Sequence, residues 1–400
     1  MTITILPRFL LGRRDAILEL AATHRTLLVG TLFVLSAGLA RYYDQEDLVH
    51  EPWHLAIPFG VSVAASLVLF IIVYAGKFRR AIPGPPIVSA YLSFLGIFWM
   101  TAPLAWLYAV PYERFLSPTA SLIANLVTLG IVAAWRVALM IRVLVVLMGY
   151  RPAPALFLVM AFGDAVLLEA LRHLPVPILE FMGGIRSPRD RILADVALNT
   201  FCFAVCSAPI WLVGAFASLF MSRPSWQTLT PEMPAPRPAW PLYCSAAASV
   251  AIWAAILPFT QPDQQLWHQV ERDFRDNKID EAIATMSRHS RTSFPANWEP
   301  PPRVIREGDS AQISLFLKIM DALRRTKAAP WVRTVYVGRF RDYILRNPNW
   351  PDRHLIDVAR IIANLPERDE ILSDLERHQG VGDEYLKELQ AEIDRQNSRK

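Results

Sequence analysis

The chain has 400 residues, of which 53% are hydrophobic and only 19% charged. The apolar load excludes a disordered polypeptide, and the scarcity of charge excludes an ordinary water-soluble enzyme of this size. The formal net charge of +5 is unevenly placed: residues 1–260 carry 18 Lys/Arg against 13 Asp/Glu, whereas residues 261–400 carry 23 of each.

This division predicts an all-α chain in two parts. Residues 1–260 are expected to form a polytopic transmembrane helix bundle, with six spans plus one marginal or re-entrant segment. Residues 261–400 are expected to form a small soluble α-helical domain. A span needs about 20 mostly apolar residues to cross the hydrocarbon. In chain order the runs are 27–40, which is short unless it borrows 18–26, then 55–75, 87–110, 120–148, 194–221 and 239–259. The marginal run is 153–171, where Asp164 and Glu169 interrupt the apolar sequence and Pro175 and Pro177 follow closely.

Lys and Arg prefer cytoplasmic loops. If 153–171 does not cross, the loops hold 12 basic residues inside and 4 outside; if it crosses, they hold 10 and 6. The sharper asymmetry favours six crossings, with both termini cytoplasmic and the loop of Asp44, Glu46, Asp47 and Glu51 outside. The basic excess between apolar runs is then an orientation signal, and no nucleic-acid partner is expected. Cys202, Cys206 and Cys244 all lie in apolar runs, an odd number without metal-ligand spacing, so neither a disulfide framework nor a zinc site is expected.

Polar residues inside spans are the informative ones, because a charge at mid-bilayer costs several kcal/mol unless paired or wetted, about 2.5–3.5 on insertion scales. Arg136 and Arg142 fall in the fourth run, and Asp164 and Glu169 in the marginal run joined to it by the short link at Tyr150 to Pro152. Antiparallel neighbours are expected, with Arg142 and Asp164 as the first pair because each lies about ten residues from that link. Glu169 and His173, four apart, share a helix face and with Asp164 form a candidate proton relay or weak metal site; the alternative is a polar helix end at the interface. Asp195, Asn199, Cys202 and Cys206, spaced four, three and four, draw one stripe expected to face other helices, as packing surface or as a cavity lining.

After Thr260 the pattern changes. A polar turn at Asp276, Asn277 and Lys278 separates two helical stretches, and Ile279, Ala282, Ile283 and Met286 recur at helical spacing. The run Ile279-Asp280-Glu281-Ala282-Ile283 with Pro295 beyond it resembles the second half of a tetratricopeptide hairpin, over residues 264–295. That resemblance implies a helix pair able to stack on neighbours and take part in peptide recognition. No second 34-residue copy follows, so the residues by themselves read as a generic αα-hairpin. Beyond the proline break at Pro295 and Pro300 to Pro302, three apolar faces led by Phe316, Tyr336 and Val358, with a weaker one at Leu375, complete a helical domain.

The sequence holds no GxxxxGK[ST], GxGxxG, GxSxG or HExxH motif. No catalytic residue, cofactor or metal is therefore assigned, and an enzyme is not favoured. The expected role is an integral membrane protein, with the bilayer as one partner and a protein partner for residues 261–400. The alternative is a small-solute or proton-coupled transporter using the intramembrane carboxylates.

Overall fold

The computed structural model describes residues 5–23, 25–78, 86–173, 188–221, 240–295, 298–302, 310–346, 352–377 and 383–398. Among these residues it is all helix and connection, without a strand. The chain forms two compact units, Met1–Gln264 and Gln265–Lys400.

The first unit holds α1 (Ile5–Leu10), α2 (Arg14–Ala21), α3 (Thr26–Tyr42), α4 (Ala56–Phe78), α5 (Ile87–Trp99), α6 (Pro118–Met148), α7 (Pro152–His173), α8 (Pro188–Met221) and most of α9 (Trp240–Arg275). It is a polytopic transmembrane helix bundle: six helices are long and apolar enough to span, and α2 with α3, bent by 107°, is long and apolar enough only as a pair, the pattern of a broken span or a re-entrant loop. Large apolar side chains point outward from it, among them Val61, Ile71, Phe203, Val213 and Phe216. Water would penalise such a surface, whereas lipid tails are as apolar as the side chains themselves.

The marginal element differs from the expected one. The run 153–171 lies within α7, an unbroken helix packed along α8, with Pro152–Arg172 apolar enough to span. The broken element is the α2–α3 pair. Three charges in 22 residues weaken α7 on a hydropathy count, but burying Asp164 at a helix contact removes one of them from lipid.

Close contacts fix the helix directions. Gly30 approaches Trp99 and Gly96 approaches Leu27, Trp106 Nε1 donates to Ser36 Oγ at 3.0 Å, and Tyr43 OH donates to the Ala109 carbonyl at 2.9 Å. Helix α3 therefore runs parallel to α5 and its 3₁₀ continuation Ala102–Ala109. The two glycines are what allow it: a Cβ on Gly30 would sit 2.8 Å from Trp99 Cβ. Helix α4 runs the other way, with Ser62 beside Trp99 and Ser66 beside Tyr91. At one end of the bundle Tyr150 OH reaches the Val73 carbonyl at 2.9 Å. At the other end Thr260 Oγ1 donates to the Tyr43 carbonyl at 2.6 Å.

That last contact brings Tyr43, at the end of α3, and Thr260, on α9, to one end of the bundle. The boundary at Thr260 also shifts, because α9 runs on through Pro258 and Pro262 to Arg275. It gives Leu242 and Ala246 to the first core and Val270 to the second.

The second unit continues with α10 (Ile279–Arg288), α11 (Ser310–Arg325), α12 (Pro330–Arg346), α13 (Asp352–Ala363), α14 (Arg368–Arg377) and α15 (Asp383–Ser398). Its core is aromatic: Tyr336, Tyr343, Phe316 and Phe340 are fully buried. Arg291 donates to the carbonyls of Phe294, Pro295 and Trp298, and Arg339 to those of Pro300 and Pro302, so two guanidinium forks satisfy a proline-rich connection with few amide donors of its own.

Candidate functional site

Within the helix seams of the bundle, Asp164 is buried between α7 and α8 with 6% of its surface exposed. Ser207 Oγ on α8 donates to its Oδ2 at 2.8 Å. One helical stripe on α8 carries Ser207, Trp211 and Gly214, and the matching stripe on α7 carries Asp164 and Phe157. Phe157 lies 6.0 Å from the Trp211 ring and fills the space that a Cβ on Gly214 would need. Trp211 Nε1 is buried without a partner. The seam thus holds one carboxyl, one hydroxyl and one indole N–H in an otherwise apolar contact. A carboxylate in that seam is costly to leave without a donor, which the Ser207 hydroxyl supplies.

The other predicted polar residues do not join it. Arg142 makes no ion pair with Asp164; its Nε donates to the Gly12 carbonyl at 3.1 Å, and Trp135, seven residues earlier on the same stripe, donates to the Leu10 carbonyl at 2.8 Å. The stripe that carries Arg142 is turned to the N-terminal helices. Arg136 is half-buried, and its Nε is buried without a partner. Glu169 is exposed and lies 3.7 Å from Arg172, one turn on. The side chain of His173 lies outside the described residues.

Asp195, Asn199, Cys202 and Cys206 are all exposed on α8, so the expected packing stripe faces outward. The buried face of that helix is Ala194, Ala204, Ser207, Ala215 and Ser218. Small and polar residues occur on both faces of α8, and spacing alone does not choose between them.

A second cluster lies in the connection between α3 and α4. His54 Nε2 is 3.0 Å from Glu51 Oε2 and 3.7 Å from Glu46 Oε2, and one ligand atom from each of the three lies within 4.8 Å of the others. Beside it His50 Nδ1 meets the buried Asp47 carboxylate at 2.8 Å. Two oxygen donors and one imidazole suit a divalent cation, and they equally suit an imidazolium held between two carboxylates. Gln261 on α9 holds the loop, donating from Nε2 to the carbonyls of Tyr43 and Glu46. Burial pushes the Asp44 carboxyl above its ordinary range and the Tyr43 phenol up to about 12. Sequence reasoning noted the acidity of this loop and missed its histidines; the spacing Glu46, Glu51, His54 was the available signal.

The second unit presents surface ion pairs and no comparable cluster among the described residues. Arg333 forms a two-pronged pair with Glu367 at 2.9 Å on both arms, Arg325 grips Asp280, and Arg341 bridges Glu370 and Asp374. Comparison with family models, with curated proteins and with solved structures finds no match to this chain.

Proposed function

We propose that this chain is a membrane anchor that presents a helical docking domain for a protein partner. The observation that carries the proposal is α9, a single helix of 36 residues that belongs to both units. Its first half closes the bundle through Leu242 and Ala246, and its last turns give Leu266, Trp267, Val270 and Phe274 to the core of the second unit. A soluble domain built on the end of its own membrane span is held at the bilayer surface, which raises its effective concentration for a partner confined to the same surface. The hairpin formed by α9 and α10, with its likeness to a tetratricopeptide pair, supports a peptide-binding role for that domain.

The directions of the helices support a specific orientation. With α3 through α9 each crossing once, the chain leaves the bundle at the end that carries Tyr43 and Ala109. Residues 265–400 then follow the last crossing on the side of the bilayer away from the N-terminus. The basic count of 10 against 6 assigns the N-terminal side to the cytoplasm. The docking domain therefore faces the other compartment, and the acidic loop shares that side with it.

The test is site-specific photocrosslinking in native membranes, with the full-length chain carrying the probe at exposed positions such as Ile356 on α13. A discrete protein adduct reproduced from several positions of the domain supports docking. Adducts to lipid only, at every position, overturn it.

One observation favours transport as a second function: Asp164, buried at a helix seam with one hydroxyl donor. Proton or solute flux in proteoliposomes that disappears in Asp164→Asn, with adducts unchanged, would establish it over anchoring alone.

A further inference from the structure

We infer that the notch between the N-terminal helix pair and α6 is a binding site for the phosphate of an anionic lipid headgroup. The notch, about 670 Å³, is lined by Arg13, Arg14 and Arg142 together with Asp15, Leu11 and Leu18. Three arginines line it, and the one carboxylate among them is already committed: Asp15 is gripped by Arg8 and lies 3.8 Å from Arg13. Arg142 spends its Nε on the Gly12 carbonyl, which fixes the guanidinium and leaves its two terminal nitrogens free of protein acceptors among the described residues. Arg14 has no acceptor among the described residues. One carboxylate set against Arg8, Arg13, Arg14 and Arg142 leaves positive charge in excess, and an anion relieves the repulsion.

The backbone is shaped to make the notch. Gly12 turns the chain at φ +70°, a conformation that favours glycine, and this turn brings Arg13 and Arg14 beside α6. A Cβ on Gly12 would come 3.2 Å from Arg142 Cγ, so the close approach also depends on glycine. Helix α2 begins at this point without a side-chain cap, and its first amide donors are open to an anion. Leu11 is largely exposed at the rim, where a glycerol backbone or the start of an acyl chain would lie.

The location selects a lipid as the source of the phosphate. Arg142 is six residues, about 9 Å, from the end of α6 at Met148, at the bundle end opposite Tyr43. On the orientation proposed above, to which the choice of leaflet is tied, this is the cytoplasmic leaflet. Anionic lipids concentrate there, and basic pockets between spans hold their headgroups.

Native mass spectrometry of the full-length protein in detergent tests the site without reference to sidedness, so a failed orientation and a failed notch are separable. Phosphatidylglycerol and phosphatidylcholine are offered in equal amount, with and without inorganic phosphate. The expected result is preferential retention of one phosphatidylglycerol, resisted by phosphate at millimolar concentration. Retention should weaken about fivefold in each of Arg14→Gln and Arg142→Gln and return in Arg14→Lys. Arg14 has no partner to lose among the described residues, so the Arg14 variants remain folded by thermal melting. Equal retention of the two lipids, or retention unchanged in Arg14→Gln, overturns the site. Displacement of the lipid by inorganic phosphate overturns the lipid assignment and leaves a free-anion site.

Discussion

Thr260 and Tyr43 stand 217 residues apart in the chain, yet the Thr260 hydroxyl donates to the Tyr43 carbonyl at 2.6 Å. The Tyr43 and Trp253 rings lie 5.4 Å apart one helical stretch below. This junction ties the last span to the end of the first, and it makes the sidedness of the chain measurable. In a background with Cys202, Cys206 and Cys244 replaced by serine, Val49→Cys and Ile356→Cys should react with a membrane-impermeant maleimide from the same side, and Leu11→Cys only from the other. Labelling of Leu11→Cys and Ile356→Cys from one side would return the chain to an even number of crossings.

The α7–α8 seam predicts a steric result. Phe157 occupies the volume that a side chain on Gly214 would need. Gly214→Val should destabilise the bundle by about 1–3 kcal/mol in reversible unfolding with a mixed-micelle denaturant. Adding Phe157→Ala should recover part of that loss, because the two residues share one space. Strictly additive losses would show that the residues do not meet.

Asp44 predicts a pH dependence. Burial raises its carboxyl pKa in the folded state, so the folded protein binds a proton more tightly than the unfolded chain does. Stability tied to this group is present at low pH and is lost as pH rises from the unfolded value through the raised folded one. Asp44→Asn removes the penalty and should raise the melting temperature at pH 7, with the difference vanishing in acid. An increase that persists unchanged in acid would assign the effect to something other than ionisation.

Glu367 runs the opposite way. The guanidinium of Arg333 bonds both its oxygens and holds its carboxyl below the usual range. Its contribution is present above the unfolded carboxylate pKa and fades as pH falls through the lowered folded value. Both side chains keep about a third of their surface in water, so the pair contributes less than about 1 kcal/mol. Glu367→Gln should cost that much at pH 7 and nothing in strong acid, read by chemical denaturation at the two pH values.

Length and composition made the spans legible, because a run of about 20 apolar residues has few other uses in a chain of this kind. The membrane-to-soluble transition was legible for the same reason, although the charged pattern after Thr260 hid the continuation of α9 through Pro258 and Pro262. Which face a residue takes was not legible: α8 offers small residues on every face, and only packing distinguishes the buried Ser207 from the exposed Cys206 one position away. The convergence of Arg13, Arg14 and Arg142 depends on one positive φ at Gly12, which no residue pattern announces.

Arg291 was equally silent in the sequence, where it reads as one more surface cation. In the fold its Nη1 reaches the carbonyls of Phe294 and Pro295 at 3.3 and 3.0 Å and its Nη2 that of Trp298 at 2.8 Å. The Phe294 and Trp298 rings stack at 4.5 Å over the same connection. Desolvation lowers the arginine pKa, yet the group stays charged because guanidinium starts so high. Removing it leaves the Phe294 and Trp298 carbonyls without a donor among the described residues, Pro295 keeping the Trp298 amide, and Arg291→Met should cost the second unit about 1–3 kcal/mol and open residues 298–302 to limited proteolysis. Arg291→Lys discriminates between fork and charge. An ammonium is a point donor that cannot span carbonyls four residues apart in sequence, so the lysine variant should be cleaved nearly as fast as the methionine variant. If lysine protects the connection as well as arginine does, the planar fork is irrelevant and a positive charge suffices.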